Sequence, residues 1–496
     1  MRRHLPVSIL LLLAAWCGAA LAAESATPST SLEGLAGYKS AVDTTWDRFH
    51  EDVWSNDWFG YAAASASWGL NYGVRAAGLF EYRLDVGEEA QGEAIPELRE
   101  LYGKLRLGKL DLFAGQQIVS WATTDLFSPL DQLNPYDYRR TLDRELSFYR
   151  LGTFMIRPVL YLDPVQIEAV YIPVFTPPRY RIVGSDYALV GHDFPIGELI
   201  NDLRQSDRWR ALETALGAWV PEWRQDLRDF LSDPNYYSAH TDLPDQDLTA
   251  PEGAARVHYT SPFIDVTAAY YALWDDLPTL HVNPALRDLS RWSEQTGPDA
   301  AILPPGDVFS TTTLSDPFTL THHRVQSAGL GLATSVFNLG LHGEGLMAFD
   351  RYTYRDDLSA VRRNQASWAL NVDYTFPADV FAEGWLLQSY LFDREDDFLQ
   401  RAWTSMGGLV LRKSFFDEKL ALELLSLVDF TYQRDRDWRR FDLTAGGWTV
   451  QPLATYSVTD PFKLSVGANL FGGRDETLMG SLEGLDQVFV LARYGF

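Results

Sequence analysis

Apolar and polar residues alternate along several stretches of the chain. Between residues 365 and 376 the even positions are apolar and the odd positions polar or small, and residues 462–470 and 101–107 follow the same two-residue period. This period over about 10 residues predicts β-strands with one apolar and one polar face. Strands of that length and pattern fit a membrane barrel, with lipid outside and water inside.

Short turn sequences alternate with long loops between these strands. Pro, Asp and Asn suit such turns because they fix or tolerate the required dihedral angles. Tight turns at one end and long loops at the other are typical of an outer-membrane barrel, with the turns in the periplasm. The predicted short turns lie at 108–109, 163–164, 261–262, 337–338, 377–379, 416–418 and 459–461.

The sequence therefore predicts an all-β fold, a transmembrane antiparallel barrel of about 16 strands, within a range of roughly 14 to 18. The number is even because both chain ends are expected in the periplasm. Some strand character at 58–68 widens the range. The predicted strands are 71–85, 97–107, 110–119, 152–162, 165–175, 254–261, 263–274, 319–336, 339–350, 364–376, 380–392, 399–413, 419–432, 441–458, 462–471 and 486–496.

The two ends of the chain carry export and assembly features. Residues 1–23 have the basic, apolar and small-residue order of a secretory signal, which includes the sole cysteine, Cys17. We expect residues 24–70 to form a mainly periplasmic segment and residues 71–496 to form the barrel. Apolar residues alternate up to Tyr494 and Phe496. We expect these two aromatics to be the signal read by the barrel-assembly machinery, which places the chain in the bacterial outer membrane.

Composition agrees with a barrel. Aromatic residues make up 14% of the chain, with 16 Trp, and barrels need them for two interfacial girdles. After the signal there is no apolar run of about 18 residues, so no transmembrane helix is predicted.

One segment that begins within the third predicted strand differs from the rest of the chain. It contains Gly115-Gln116-Gln117, then Trp121-Ala122, then Asn134-Pro135-Tyr136-Asp137. It resembles the Gly-Arg-Gln, Trp-Gly and Asn-Pro-x-Asp pattern of porin-like Gram-negative barrels and, more distantly, alginate-export barrels. Gln116 replaces the Arg and Ala122 replaces the Gly of that pattern, so no basic constriction group is carried over to position 116.

The turn-rich stretch that follows, 121–140, has two interpretations that fit the sequence equally. It can fold into the pore and narrow it, or it can pack as an outer loop whose Asp and Arg residues pair with each other. The candidate constriction residues in this stretch are Trp121, Asp125, Asp137, Arg139 and Arg140.

The longest loop, 177–253, carries apolar residues at helical spacing between positions 196 and 230. Such helices must bury their apolar side. They can plug or cap the barrel, dock a partner or rest on the outer leaflet, and a lid over the barrel mouth is the simplest of these arrangements.

Charges on the lumen phase are nearly balanced, although the net charge is −25. The acidic excess therefore belongs to the loops, where it can bind Ca²⁺ or Mg²⁺ among lipopolysaccharide phosphates. An acidic surface makes nucleic acid an unsuitable partner. The predicted channel-lining residues are Lys104, Arg106, Asp111, Gln117, Arg157, Glu168, Arg324, His342, Glu344, Asp373, Arg412, Glu423 and Arg493.

Catalytic chemistry is not predicted. His342 and Glu344 point into the lumen, and His322 can join them from the preceding strand, but a third metal ligand or a nucleophile is missing at recognisable spacing. Ordinary hydrogen bonding in the lumen accounts for these side chains. We therefore predict no enzyme, no metal centre and no cofactor.

The resemblance implies a porin-like channel through which small solutes diffuse. The alternative is a gated conduit for a larger or hydrophobic substrate that works with periplasmic partners, and a third class is an adhesive or structural barrel with a plugged lumen. Lipid and lipopolysaccharide surround any such barrel, and the sequence specifies no oligomer interface. The conduit is favoured by apolar residues on the lumen phase, namely Phe113, Phe381, Trp385, Leu387, Leu425, Leu427, Phe471, Phe489 and Leu491.

Overall fold

The computed structural model describes most of the chain after residue 28. The described residues are 29–43, 54–69, 71–86, 91–124, 127–139, 148–180, 241–245, 248–282, 318–355, 359–431, 446–474, 477 and 479–496. The predicted signal peptide, 1–23, lies outside them.

Twenty-one β-strands occur in these residues. They are β1 Ser29–Asp43, β2 Trp54–Trp68, β3 Tyr72–Val86, β4 Gln91–Leu107, β5 Leu110–Gln117, β6 Thr153–Leu162, β7 Val165–Ile172, β8 Thr241–Asp242, β9 Glu252–Thr260, β10 Asp265–Trp274, β11 Thr279–Val282, β12 Phe318–Thr321, β13 Arg324–Val336, β14 Leu339–Tyr354, β15 Ala360–Phe376, β16 Val380–Leu391, β17 Trp403–Phe415, β18 Leu420–Asp429, β19 Gly447–Ser457, β20 Phe462–Gly473 and β21 Gln487–Gly495.

Eighteen of these strands form one closed antiparallel barrel. Each pairs with the next in chain order, and β1 pairs with β21 to close the ring. The main chain of Phe496 continues this ladder, because its N–H donates to the carbonyl of Gly34 at 3.0 Å and its carbonyl accepts from the Gly34 N–H at 2.8 Å. Closure leaves no unpaired edge.

All sixteen predicted barrel strands are present, and the seven predicted short turns connect strands at one end of the barrel. The placement of residues 24–70 in the periplasm is wrong, because β1 and β2 lie in this segment and belong to the wall. They raise the strand number from the expected 16 to 18, the upper limit of the predicted range. Small residues such as Gly34, Ala36, Ala62, Ala64 and Ala66 occupy many of their outward positions, so their apolar alternation is weak.

Side chains on the outer surface of the barrel are apolar and exposed. A closed barrel satisfies its backbone hydrogen bonds internally, and a continuous exposed apolar surface is stable against lipid. The barrel therefore spans a membrane. The outward residues include Leu32, Phe80, Leu98, Leu101, Leu330, Leu332, Leu370, Val466, Val490 and Phe496.

The three remaining strands form a small separate sheet, in which β12 pairs with β11 and with β8. It lies at the long-loop end of the barrel, where the Leu280 N–H donates to the Tyr354 hydroxyl at 2.7 Å.

The predicted helical loop falls mainly on residues 181–240, which are outside the described residues. In the described part of the chain the helical structure is a 3₁₀ turn at Gly480–Leu482. No helix there is long and apolar enough to span a membrane.

Barrel closure through β1 is testable with a disulfide. Val42 of β1 lies directly opposite Val488 of β21, and Cα atoms of such antiparallel partners are about 4.5–5.5 Å apart, within disulfide range. We expect Val42→Cys with Val488→Cys to form an intramolecular disulfide after oxidation, which gel mobility with and without reductant detects.

The control pair is Val42→Cys with Ala468→Cys. Ala468 of β20 is paired with Val488 from the opposite side of β21. Ala468 is therefore two strand spacings, about 9.5 Å, away from Val42. Cross-linking of neither pair, or of both equally, would show that β1 does not close the barrel.

Candidate channel constriction

Two residues before the loop between β5 and β6 begins, β5 contains a glycine that no other residue can replace without strain. Gly115 has φ +132°, and a Cβ there would stand 2.3 Å from the carbonyl oxygen of Leu101. The buried Gln117 amide donates to the Met155 carbonyl at 3.0 Å and accepts from the Arg157 Nε at 3.2 Å.

Asn134 ties together the two ends of this loop. Its Oδ1 accepts from the Val119 N–H at 2.7 Å, and its Nδ2 donates to the carbonyls of Gln117 and Leu151, both at 2.9 Å. The side chain is almost fully buried. The Asn-Pro segment is therefore a clamp that satisfies backbone groups of both loop stems.

Glu344 holds the loop inside the barrel. This carboxylate projects inward from β14 in its short-turn half and is 5% exposed. It accepts hydrogen bonds from the main-chain N–H groups of Thr123, Thr124 and Leu130 and from the Ser128 hydroxyl. Charged acceptors make strong hydrogen bonds, so Glu344 fixes a turn of the loop deep in the lumen.

A second anchor joins the loop to the wall at β7 and β10. The indole of Trp121 is 1% exposed, packs on the ring of Tyr271 at 5.3 Å between centroids and donates from Nε1 to the Glu168 carboxylate at 3.1 Å. Glu168 also binds the Arg157 and Arg256 guanidinium groups, at 3.1 and 2.8 Å. Its buried charge is thus compensated by two cations and an indole N–H.

Lumen-facing apolar residues form the seat for two inward segments. The ring of Phe127 lies 5.0 Å from that of Trp385, and Met479, from the segment between β20 and β21, packs on Trp385 and Leu427. Leu482 packs on Phe471 in the same way. These apolar positions, which favoured a hydrophobic conduit, are therefore covered by loops rather than exposed to the passage.

Other inward aromatic rings lie beneath cations. The Arg157 guanidinium is 4.2 Å from the centroid of Phe113, and the Lys39 ammonium is 4.7 Å from that of Phe489. Arg412 covers Phe381 in the same way. Cation–π pairs explain how an aromatic ring can face a charged lumen.

Charged pairs fix the outer part of the loop. Arg150 binds Asp131 through Nε at 2.7 Å, and Arg139 binds Asp137 through Nη2 at 2.7 Å. Burial and the Asp131 charge raise the pKa of the Tyr136 phenol, which donates to Asp131 at 2.8 Å. Both interpretations of this stretch thus hold in part, because its Asp and Arg residues pair with each other and the loop lies in the barrel.

The structure brings several other predicted residues together along the wall. Asp111 is fully buried between Arg106, at 2.6 Å, and Lys104, at 2.8 Å. The remaining pairs are His342 with Asp373, at 3.4 Å, and Arg412 with Glu423. Arg493 shares the lumen phase with Lys463, its partner on β20.

Arg324 was wrongly predicted to line the lumen. It pairs with Trp274 at the long-loop ends of β10 and β13 and stacks on that ring at 4.6 Å, on the outward face. The predicted strand 319–336 joined β12 and β13, which belong to two different sheets. His322, between them, is bound to the Asp275 carbonyl at 2.7 Å rather than beside His342. Asp125 and Arg140 lie outside the described residues.

The barrel interior contains further charged residues that are absent from the predicted channel-lining set. Arg75 binds Glu100 at 2.7 Å, Glu33 at 2.6 Å and the Tyr61 hydroxyl at 3.2 Å. Arg75 lies on a predicted strand in the lumen phase, so periodicity could have identified it. Arg179 binds both Glu97 and Asp137, at 3.1 and 3.6 Å, and no local pattern predicts this contact.

Comparisons with known proteins give structural matches only. No family model matches the chain, and no curated protein matches it either. Its structure is similar to that of Pseudomonas aeruginosa OccK7 (OpdD), at 11% identity and TM-score 0.46, covering 95% of this chain and 99% of that one. It is also similar to Acinetobacter baumannii OccAB3, at 11% identity and TM-score 0.44, covering 95% of this chain and 99% of that one. For Salmonella typhi OmpF in complex with daunomycin the identity is 12% and the TM-score 0.38, covering 94% of this chain and 97% of that one. The functional assignment therefore rests on the geometry of the chain itself.

Gly115 provides a test of the loop origin. We expect Gly115→Ala to lower the free energy of unfolding by about 1–3 kcal/mol, because a side chain strains this backbone conformation and meets the Leu101 carbonyl. Urea titration of the refolded protein in detergent measures this difference. The control is Gly345→Ala, where an added Cβ has no neighbour within 4 Å. Equal stability of the two variants would contradict the close approach at Gly115.

Glu344 provides a test of the loop anchor. In Glu344→Gln an uncharged amide replaces the carboxylate, and its NH₂ group cannot accept hydrogen bonds from the loop N–H groups. We therefore expect the loop to be held more weakly, by about 1.5–3 kcal/mol. The measurement is single-channel recording in a planar bilayer. We expect the conductance of Glu344→Gln to be larger and noisier than that of the parent. Glu423→Gln is the control, since Glu423 faces the lumen and binds Arg412 instead of the loop. Identical traces for the parent and Glu344→Gln would contradict the role of Glu344.

Proposed function

We propose that the chain is a porin-like channel of the bacterial outer membrane, through which small solutes diffuse passively. The observation that carries this proposal is the β5–β6 loop, held inside an 18-strand barrel by Glu344. Barrels of 16 to 18 strands leave an aqueous lumen, and a loop fixed within that lumen narrows it without closing the wall.

The loop divides the lumen into two sides. It covers the wall at β7, β10, β14 and β16, through Glu168, Tyr271, Glu344 and Trp385. We infer that solutes pass on the other side, along β1–β4 and the short-turn half of β19–β21, away from the inward segment between β20 and β21. Inward residues there include Lys39 and Arg75 on one flank and Lys463 and Arg493 on the other.

The apolar residues on the lumen phase no longer support the conduit hypothesis. Trp385, Leu427, Phe471 and Leu491 are each less than 10% exposed, and the first three lie beneath inward loop segments. Apolar residues used to seat loops give no apolar path for a substrate. Diffusion of polar solutes past charged side chains is the function that this wall supports.

Single-channel conductance of the refolded full-length protein tests the proposal. We expect a steady current that is linear in voltage, since the passage has fixed walls. A variant lacking residues 181–240 removes most of the predicted helical loop and leaves every described strand intact. We expect it to conduct at least as well as the full chain.

The contrary result is a silent full-length protein that conducts once residues 181–240 are removed. That outcome would mean a plugged barrel and would replace diffusion by gated transport. Silence of both proteins, together with disulfide formation in the separate variant that carries Val42→Cys and Val488→Cys, would indicate a closed structural barrel.

A further inference from the structure

Two histidines meet at the long-loop end of the barrel, in the small sheet. His281 lies on β11 and His323 follows β12, and their Nε2 atoms are 3.1 Å apart. The Thr321 hydroxyl lies 3.0 Å from the Nε2 of His281 and 2.9 Å from that of His323. Three atoms with lone pairs thus form a nearly equilateral triangle.

The size of this triangle is compatible with a metal ion bound to all three atoms. Bonds from zinc to imidazole nitrogen are about 2.0–2.1 Å long. Two ligands at right or tetrahedral angles then stand about 2.8–3.4 Å apart, by simple trigonometry on those bond lengths. The distances between the three side-chain atoms, 2.9 to 3.1 Å, lie within this range.

The Tyr352 ring borders both imidazoles, and its centroid lies 6.0 Å from that of His281. The Tyr352 ring packs on His323 at 4.2 Å between centroids and fixes its orientation.

The same surroundings select the kind of ion. Arg362 lies over the Tyr352 ring, 4.9 Å from its centroid, and brings a positive charge close to the site. A cation that is held only by electrostatic attraction is therefore disfavoured here. Ca²⁺ and Mg²⁺ require oxygen ligands, whereas Zn²⁺ binds imidazole nitrogen well. Among the residues that the structure describes, no group of three or more His, Cys, Asp or Glu side chains is placed to hold a metal ion, so this site has two imidazole ligands and one hydroxyl.

We propose that His281 and His323, assisted by the Thr321 hydroxyl, form a binding site for Zn²⁺ at the long-loop end, with water in the remaining coordination positions. The ion bridges β11 and the segment after β12. Because Leu280 is hydrogen-bonded to Tyr354 of β14, a bridged sheet is also fixed to the rim of the barrel. The site does not depend on whether the barrel conducts.

Isothermal titration of zinc chloride into the refolded full-length protein at pH 7.5 tests the site. We expect one ion per chain, and binding at least about tenfold weaker in His281→Asn and in His323→Asn, since each loses half of the imidazole ligands. His258→Asn is the matched control. His258 faces the lumen and is hydrogen-bonded to Thr267 at 2.8 Å and Thr260 at 3.0 Å, so its loss leaves zinc binding unchanged.

Electron paramagnetic resonance of the protein with one equivalent of Cu²⁺ gives an independent readout. We expect splitting from two nitrogens in the parent and from one in either variant, whether or not the variant changes barrel stability. Zinc binding also weakens at pH 5.5, where protons compete for the imidazoles. Equal zinc affinity of the parent and both variants, or a copper spectrum without two nitrogens, would show that the histidines are only hydrogen-bonded to each other.

Discussion

The rest of the structure depends on one constraint, which is that every backbone polar group within lipid needs a partner in the protein. A sheet meets this constraint only when its first and last strands pair, and here β1 pairs with β21 while Phe496 pairs with Gly34. Closure requires an even strand number when both ends of the sheet begin and finish on the same side. It also fixes the two-residue alternation around the whole ring, so that one residue in two faces the lumen. The charged pairs of the wall, such as Asp111 with Arg106, follow from that alternation.

The loop inside the barrel meets the same need without a ladder partner. Its backbone enters a partly desolvated space, where each unpaired N–H would cost free energy. Asn134 supplies three hydrogen bonds at the loop stems, and Glu344 accepts three main-chain N–H groups near the tip. Both side chains are buried and neither belongs to a strand-to-strand ladder. Asn134 and Glu344 thus have a structural role, because their hydrogen bonds replace the strand-to-strand bonds that the loop backbone lacks.

The two-residue period was sufficient to predict most of the wall, and it failed where the period was weak or broken. It located sixteen strands and seven turns, since these have contrasting faces. It missed β1, and it found β2 only as strand character at 58–68, where Ala62, Ala64 and Ala66 give the outward face little apolar character. It merged β12 and β13, which are separated by two residues and belong to different sheets. Arg324 was misplaced although it shares the even phase of β13 with the outward Leu330 and Leu332. The contacts of the loop could not be predicted at all, since Glu344 binds residues more than 200 positions away in sequence.

The apolar residues on the lumen phase show why such patterns need the tertiary structure for interpretation. In a water-filled barrel an inward Trp or Leu is costly unless something covers it. Trp385 and Leu427 are covered by Phe127 and Met479, from two different segments of the chain. Phe113 and Phe489 lie instead beneath the cations Arg157 and Lys39. The sequence alone cannot distinguish a ring that lines a hydrophobic passage from one that seats a loop, because both occupy the same phase of a strand. The difference lies in the partner, and here the partners leave the charged groups of the wall as the surface that a solute meets.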